Sequence, residues 1–347
     1  MSTLIVPCAG QSSRYPNMRP KYLLTHPNGN AMVTQSLRGI DLKNIDQIYI
    51  GVLREHYDKY KFGSRLMRQL EKKLDTIKVK YSILDKPTLS QPETVVKIIE
   101  QENIQDQIHI KDCDNYFECM PQNGNNVTVV SLNDLLSVNP SNKSYVQVND
   151  VGQVVNIIEK RVISDKFCCG LYSIDNAKRF CKDYYRILSN TNPKEHSNIY
   201  LSTILHYMLY GGYIVNTIEV QNYKDWGTLD DWLQYKKQFQ TIFVDLDGIL
   251  VENSGEYLEP YWGTTKGIQA NIDYINALYD QGNQIIITTS RTREFEKETL
   301  EQIERCGIKA DRILFQTCPR RTIINDFAPS NPYPSCEAIN IPRNSML

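Results

Sequence analysis

The sequence predicts an α/β protein built from two successive domains. Short runs rich in Ile, Val and Tyr alternate with segments of helical periodicity from residue 4 onward, which favours a sheet with a large parallel component. The same alternation begins again at Thr241, after the polar and helical segment 231–240. A chain of 347 residues suits two domains. We therefore predict domains 1–238 and 239–347.

The first domain begins with strands that β-branched and aromatic residues mark clearly. The strand candidates are Leu4–Val6, Gln47–Leu53, Lys78–Leu84, Gln107–Lys111 and Val127–Ser131. Helices are predicted over 64–74, where Leu recurs at i+4 and Ser64 is a candidate N-cap, and over 93–100, after a proline. Residues 144–160 predict two strands around a turn, and 199–209 predict a helix that stops at Gly211.

The second domain repeats the alternation on a smaller scale. A strand from Thr241 is followed by a helical pattern over 268–278, which ends near Gly282. The apolar run 284–289 is the next strand, and a charged helix over 294–306 follows it. Further strands are predicted at 312–315, 322–324 and 337–341.

Composition excludes several classes of protein. Apolar residues make up 41% and charged residues 23% of the chain, which argues against disorder. The 39 basic and 40 acidic residues give a net charge of -1 and predict no nucleic-acid partner. The nine cysteines include no C-x-x-C pair and indicate reduced thiols. Without a basic leader or an apolar run of membrane length, we expect a cytoplasmic protein with no membrane partner.

A loop of small residues follows the first predicted strand. Ala9 and Gly10 would let backbone N–H groups approach phosphate oxygens closely. Arg14 and Lys21 would add positive charge at the same place. A tight turn with two solvated bases explains this loop alone equally well.

Carboxylates stand at the ends of other predicted strands of the first domain. Asp112 and Asp114 follow the strand 107–111, and Asp225 precedes a Gly turn. Oxygen ligands of this kind suit Mg²⁺. Glu159 and Lys160 end a further strand with an acid beside a base.

In their order along the chain, these motifs resemble the nucleotidyltransferase family that makes activated sugars and related compounds, whose fold is Rossmann-like (GT-A-like) with a mixed sheet. The resemblance covers about residues 1–235. It rests on an ordered set of motifs: Gly10…Ser13-Arg14, Pro20-Lys21, Asp114, Glu159-Lys160, Gly170-Leu171-Tyr172 and Asp225-Trp226-Gly227-Thr228.

The resemblance implies in-line attack of an acceptor phosphate oxygen on the α-phosphorus of an NTP, with pyrophosphate as the leaving group. It implies that Arg14 and Lys21 hold the triphosphate, that Lys160 holds the acceptor phosphate, and that Mg²⁺ is the cofactor. The other implied contacts are Ala9, Gly10, Ser13, Ser90 and Gln91 for the nucleotide, Glu159, Lys160 and Gly170 for the acceptor, and Asp114 and Asp225 for the metal.

The chain departs from this family pattern at two places. Arg161 stands where the family usually has Pro, and Asp112-Cys113 replaces small residues before the metal ligand. Asp112 and Asp114 are therefore both candidates for that ligand, and the spacing to Asn115 and Phe117 favours Asp114.

A second set of motifs belongs to the second domain. Asp245 and Asp247 leave the strand that begins at Thr241, and their environments can separate their pKa values so that one acts as nucleophile. Thr289 ends the next strand, and Arg320 and Arg321 precede the acid Asp326.

This order resembles the haloacid dehalogenase (HAD) superfamily over about residues 240–345. The resemblance implies a HAD-like Rossmannoid domain, with no large cap because the segment 252–267 is too short. It implies Asp245 as nucleophile, Asp247 as general acid/base, Thr289 with Arg320 or Arg321 on the phosphate, and Asp245, Asp247 and Asp326 as ligands of Mg²⁺. Ile249, Asn325 and the Arg in place of Lys are departures from the pattern.

Together the two resemblances predict a bifunctional nucleotidyltransferase and HAD phosphatase for capsule or other surface glycoconjugate precursors. Its partners would be an NTP, with CTP or UTP favoured, and a small phosphorylated sugar or polyol acceptor; a homo-oligomer is compatible with this prediction. Two alternatives stay open: an active transferase with a degenerate, scaffolding HAD domain, and a regulatory protein that binds nucleotide sugars without turnover.

Overall fold

The computed structural model describes residues 2–10, 12, 14–15, 17–74, 78–134, 140–255, 260–325 and 336–347. The chain divides into two compact units, Met1–Gln234 and Tyr235–Leu347, here called the N-terminal and C-terminal units. The division falls within the polar segment 231–240. In the described residues no helix combines the length and the apolar character needed to cross a bilayer.

The N-terminal unit is a mixed α/β structure. Its strands are β1 (Ser2–Pro7), β2 (Gln47–Leu53), β3 (Lys78–Leu84), β4 (Gln107–Lys111), β5 (Asn115–Glu118), β6 (Asn126–Ser131), β7 (Ser144–Val148), β8 (Val154–Glu159), β9 (Lys166–Ile174), β10 (Asn216–Glu219) and β11 (Gln221–Asp225). Its helices are α1 (Met32–Ser36), α2 (Arg54–Tyr60), α3 (Gly63–Leu74), α4 (Gln91–Gln101), α5 (Ala177–Asn190), α6 (Leu201–Tyr210) and α7 (Leu229–Lys237), which runs across the division.

The main sheet has the strand order β10-β6-β9-β4-β1-β2-β3, and the β7–β8 hairpin joins it through β9. Strands β4, β1, β2 and β3 are parallel, whereas β9 runs antiparallel to β4 and β6. The central strands are buried on both faces. Because side chains alternate along a strand, Leu4 and Val6 pack in one apolar cluster and Ile5 packs in another.

The sequence predictions of secondary structure in this unit are largely confirmed. Strands β2, β3 and β4 have the predicted bounds, and α4 begins with Ser90 as its N-cap. The expected N-cap Ser64 is wrong, since α3 begins one residue earlier, at Gly63. Helix α5 was not predicted, although Asn176 caps it through a side-chain hydrogen bond.

The C-terminal unit contains a parallel three-stranded sheet in the order β12-β13-β14. Its elements are β12 (Thr241–Asp245), α8 (Gln269–Asp280), β13 (Gln284–Thr288), α9 (Glu296–Arg305) and β14 (Arg312–Leu314). The predicted strands at 322–324 and 337–341 are wrong, because both segments are irregular. Ile324 and Ile339 are exposed there, so neither segment has a sheet face that would bury its apolar side chains.

Candidate active site

The carboxyl ends of β1, β2 and β4 meet at one edge of the main sheet, because these strands are parallel. A cavity of about 580 Å³ opens there. Most of the residues that the sequence singled out in this unit line the cavity: Gly10, Arg14, Lys21, Ser90, Gln91, Asp114, Glu159, Lys160 and Asp225. Residues more than 200 positions apart in the chain therefore share one site.

The loop after β1 supplies the cations at one end of the cavity. The Lys21 N–H donates to Ser12 Oγ over 3.1 Å, and the Lys21 ammonium is paired with the Asp114 carboxylate. Arg14 Nη2 lies 3.9 Å from Asp114 Oδ2. A Cβ added at Gly10 would meet no atom within 4 Å, so that residue faces open space. This end of the cavity can accept an anion.

Two further nucleotide contacts, Ala9 and Ser13, are predicted in this loop. Ala9 is fully buried in a small cluster with Leu53 and Leu84, so its side chain packs in the core and only its backbone is left for a ligand. Ser13 lies outside the described residues.

The carboxylates of Asp114 and Asp225 converge on Gly227. A Cβ at Gly227 would lie 3.1 Å from Asp225 Oδ1 and 3.9 Å from Asp114 Oδ2. Strands β5 and β11 pair antiparallel and bring the two acids together through the register Asn115↔Asp225. Burial alone would raise the pKa of Asp114, but the positive charges of Lys21 and Arg14 outweigh it and hold that pKa well below its ordinary value.

This donor set fits Mg²⁺. The described residues contain no group of three or more His, Cys, Asp and Glu side chains placed to hold a metal ion. Mg²⁺ in nucleotide sites is usually held by one or two carboxylates, with phosphate and water oxygens completing its shell. Asp114 and Asp225 would supply those carboxylates. Asp114 is paired with Lys21 and Asp225 with Lys143, and a metal ion could replace these flexible lysine side chains.

Asp112 differs from Asp114 in its surroundings. Its side chain accepts a hydrogen bond from Gln91 Nε2 and lies over Gly170, where a Cβ would come within 2.5 Å of Asp112 Oδ2. Gly170 has φ +99°, a conformation that also favours glycine. Burial, followed by the charge of Asp114, raises the pKa of Asp112 to about 6. Gly170 therefore acts by making room for Asp112 and does not itself line the cavity.

A fully buried lysine supports the loop that carries Asp114. Lys111 Nζ donates to the Asp112 carbonyl oxygen over 2.8 Å and to the Asn115 side chain, and it lies 4.5 Å from the centre of the Phe117 ring. Burial lowers the pKa of Lys111. Lys111 was not identified from the sequence, since a single lysine at a strand end carries no distinguishing signal.

Another end of the cavity carries Glu159 and Lys160, where β8 ends. The Glu159 carboxylate accepts hydrogen bonds from the hydroxyls of Ser144 and Ser202. Lys160 Nζ donates to the Tyr200 hydroxyl over 2.6 Å and lies 4.5 Å from the centre of that ring. The acid and the base are thus held apart by separate partners, and both remain at the cavity wall.

The segment before α4 forms a third part of the wall. Ser90 Oγ accepts the Glu93 N–H over 3.4 Å, which caps the helix, and Gln91 reaches Asp112. Both predicted nucleotide contacts lie at the cavity, and each has a structural bond of its own. Several polar lining residues were not singled out from the sequence, among them Asn142, Lys143, Ser144, Tyr200, Ser202 and Tyr223.

The C-terminal unit brings together a second set of charged residues. Asp245 ends β12 beside Thr288 of β13, and Arg321 Nη2 lies 3.0 Å from Asp245 Oδ1. Asp247 accepts two hydrogen bonds from Arg291, at 2.9 and 2.7 Å, and lies 3.4 Å from Thr289 Oγ1. Four of the predicted residues of this site, Asp245, Asp247, Thr289 and Arg321, are therefore near one another.

The other predicted residues of this second site have different outcomes. Arg320 is exposed. Asp326 lies outside the described residues. Arg291, two residues after Thr289, was not assigned a role from the sequence; it is fully buried and forms the main contact to Asp247.

The described part of the C-terminal site does not fit Mg²⁺. Asp245 and Asp247 each carry a guanidinium partner. Arg291 is held in place by further hydrogen bonds to Thr299 and Gln302, so it is not free to withdraw from Asp247. A metal ion would have to displace a buried bidentate ion pair.

Comparison with known proteins shows what this architecture resembles. No family model and no curated protein sequence matches the chain significantly. A nucleoside-diphosphate-sugar pyrophosphorylase from Vibrio cholerae superposes with a TM-score of 0.56 at 17% identity, covering 67% of this chain and 99% of that one. A Bacillus anthracis structure assigned as a glucose-1-phosphate thymidylyltransferase, in complex with a sucrose, gives 0.52 at 18% identity, covering 68% of this chain and 94% of that one.

A UDP-glucose pyrophosphorylase in complex with UDP-glucose gives a TM-score of 0.51 at 12% identity, covering 68% of this chain and 97% of that one. At sequence identities of 12–18%, these matches show that the folds are similar. The N-terminal part of the chain has the Rossmann-like mixed α/β fold that these nucleotidyltransferase structures share.

Proposed function

We propose that the N-terminal unit transfers a nucleotidyl group from an NTP to a small phosphorylated acceptor and releases pyrophosphate. One observation carries the proposal: a single cavity in this fold holds four cationic side chains and the converging carboxylates of Asp114 and Asp225. Such a site neutralises and positions phosphates, which is what in-line nucleotidyl transfer requires, because no covalent protein intermediate is needed.

In the proposed reaction Arg14 and Lys21 bind the β- and γ-phosphates. Lys160 binds the acceptor phosphate, one oxygen of which attacks the α-phosphorus while the bond to the β-phosphate bridging oxygen breaks. Asp114 and Asp225 would hold Mg²⁺, which neutralises charge on the reacting oxygens. Lys21 and Lys160 stabilise the negative charge of the leaving pyrophosphate and of the acceptor.

The polar character of the acceptor end suggests the class of acceptor. Glu159, Ser144 and Ser202 already form a network of hydroxyl-to-carboxylate hydrogen bonds. Hydroxyl groups of a sugar phosphate or polyol phosphate would join this network in the same manner. We propose CTP or UTP as the nucleotide. The product would be a precursor of surface glycoconjugates.

Pyrophosphate release tests this proposal directly. The four common NTPs are each mixed with a panel of sugar and polyol phosphates in the presence of Mg²⁺, and pyrophosphate is measured. Lys21→Met and Asp225→Asn should lose the activity, whereas Lys166→Met, which removes a lysine paired with Glu219 outside the cavity, should retain it. Full activity in both cavity variants would overturn the assignment.

For the C-terminal unit we propose hydrolysis of a phosphate monoester through Asp245. The supporting observation is that the Asp245 carboxylate is partly exposed at a strand end with Arg321 3.0 Å away, where a phosphate could be held for attack. Asp247 could act as the general acid/base only after it had parted from Arg291, because both of its carboxylate oxygens accept hydrogen bonds from that guanidinium.

The same Asp247–Arg291 pair favours the competing role, a scaffold without turnover. Phosphate release from p-nitrophenyl phosphate and from the acceptor panel separates the two. The phosphatase proposal expects release that Asp245→Asn abolishes. A wild-type protein that releases no phosphate from any of these esters would favour the scaffold.

A further inference from the structure

Lys143, just before β7, has a position in the cavity that the proposed reaction has not used. Its ammonium is paired with the Asp225 carboxylate and donates to the Tyr223 hydroxyl over 3.1 Å. The Lys143 side chain is only 12% exposed. The ring centres of Phe167 and Tyr223 each lie 5.6 Å from its Nζ, so aromatic faces flank the ammonium.

Lys143 is coupled by the backbone to the lysine at the acceptor end. The Lys160 N–H donates to the Lys143 carbonyl oxygen over 2.8 Å, where β7 and β8 pair. From this shared point the two side chains diverge: Lys143 reaches Asp225, and Lys160 reaches Tyr200. Lys143 therefore lies between the metal-binding carboxylates and the acceptor end.

Resting on the proposed nucleotidyl transfer, we propose that Lys143 is a phosphate-binding residue at the junction between nucleotide and acceptor. Its ammonium leaves Asp225 and donates to a phosphate oxygen when the substrates bind. The ammonium is already largely desolvated and flanked by Phe167 and Tyr223, so this exchange adds little desolvation cost. Asp225 is freed in the same step.

Charge supports this role. Among the described residues that line the cavity, the cationic side chains are Arg14, Lys21, Lys143 and Lys160. Arg14 and Lys21 lie against Asp114, and Lys160 lies against Tyr200. Of these four cations, Lys143 is the one placed to contact a phosphate between Asp114 and Lys160, which is where the acceptor attacks the α-phosphorus.

Binding of inorganic triphosphate in EDTA, measured by titration calorimetry, tests Lys143 without metal and without knowledge of the nucleotide base, because triphosphate supplies a phosphate at the α-position beside Lys143 as well as the two at Arg14 and Lys21. Lys143→Met should weaken binding by roughly 10- to 100-fold, the expected loss for one charge-assisted hydrogen bond. Asp225→Asn should bind triphosphate at least as tightly as the wild type, because it releases the ammonium from a competing carboxylate. Lys143→Arg should recover most of the binding.

A purely structural role predicts a different pattern. Either substitution would then break the same buried pair, so Lys143→Met and Asp225→Asn would weaken binding alike, and that result overturns the inference. Lys166→Met serves as the matched control and should bind as the wild type does. Circular dichroism confirms that each variant is folded.

Failure of the inference and failure of the proposed function give separate results. If the wild type releases pyrophosphate from an NTP and an acceptor but Lys143→Met binds triphosphate as tightly as the wild type, only the inference falls. If the wild type releases pyrophosphate but has no affinity for triphosphate in EDTA, again only the inference falls. If the wild type releases no pyrophosphate with any pair of substrates, the proposed function falls and the inference falls with it.

Discussion

Replacing Arg291 by Met should strongly destabilise the C-terminal unit. The guanidinium of Arg291 is fully buried and donates two hydrogen bonds to Asp247 and one each to Thr299 and Gln302. Methionine keeps the apolar stem but leaves the Asp247 carboxylate unpaired. Breaking one side of a buried ion pair costs about 3–5 kcal/mol.

The lower part of that range applies here. The Asp247 side chain is 13% exposed, so water can partly solvate the carboxylate that remains. We therefore expect a loss of about 3 kcal/mol in the free energy of unfolding of the unit, which corresponds to a roughly 150-fold larger equilibrium constant for opening.

Hydrogen exchange of the backbone amides in β12 and β13, detected by mass spectrometry, measures this opening. A local measurement is needed because a chain with two units does not unfold in a single two-state transition. Arg293→Met is the matched control: Arg293 lies 3.7 Å from Glu296 and is 72% exposed, so its loss should change stability by less than about 0.5 kcal/mol. Arg291→Met/Asp247→Asn should recover part of the loss, because no buried charge is left unpaired.

Two results would refute this reasoning. Exchange of the β12 and β13 amides in Arg291→Met at the wild-type rate would mean that the buried pair contributes little. Strict additivity of the Arg291→Met and Asp247→Asn effects in the double variant would mean that the two residues are not coupled.

Three further predictions concern the N-terminal unit. Burial lowers the pKa of His109 from 6.5 to about 4, so the unfolded chain binds the proton first as the pH falls. The contribution of His109 to stability is therefore complete above pH 6.5 and decreases by about 3 kcal/mol as the pH drops to 4. The stability of His109→Gln, measured by denaturant unfolding at several pH values, should lack this decrease. Ser90→Ala should lower the free energy of unfolding by about 1 kcal/mol in the same assay, because α4 loses its N-cap. A variant as stable as the wild type would show that the 3.4 Å hydrogen bond from the Glu93 N–H contributes nothing. Gly170→Ala should reduce pyrophosphate release sharply, because its Cβ would lie 2.5 Å from Asp112 Oδ2 at φ +99°; wild-type activity would contradict that crowding.

Much of the N-terminal fold could be predicted from local pattern. The strands β2, β3 and β4 are short apolar runs with clear boundaries, and Ser90 followed by Pro92 marks the start of α4. Such signals depend on residues close together in the chain, so they are readable without a structure. The predicted strands at 322–324 and 337–341 failed because β-branched residues favour a strand only where a sheet face buries them.

The sequence by itself determined the α/β class, the order of the motifs and most of the charged residues that line the cavity. Only the tertiary structure decided which charged side chains form ion pairs with one another. Lys143 and Asp225 are 82 residues apart, and Asp247 and Arg291 are 44 apart. Nothing in the spacing of such residues reports their contact, because it depends on the register and order of strands that pair across the whole sheet. The same strand pairing places Lys21 and Arg14 against Asp114, whereas burial and the charge of Asp114 dominate at Asp112, so two neighbouring carboxyls have opposite pKa shifts.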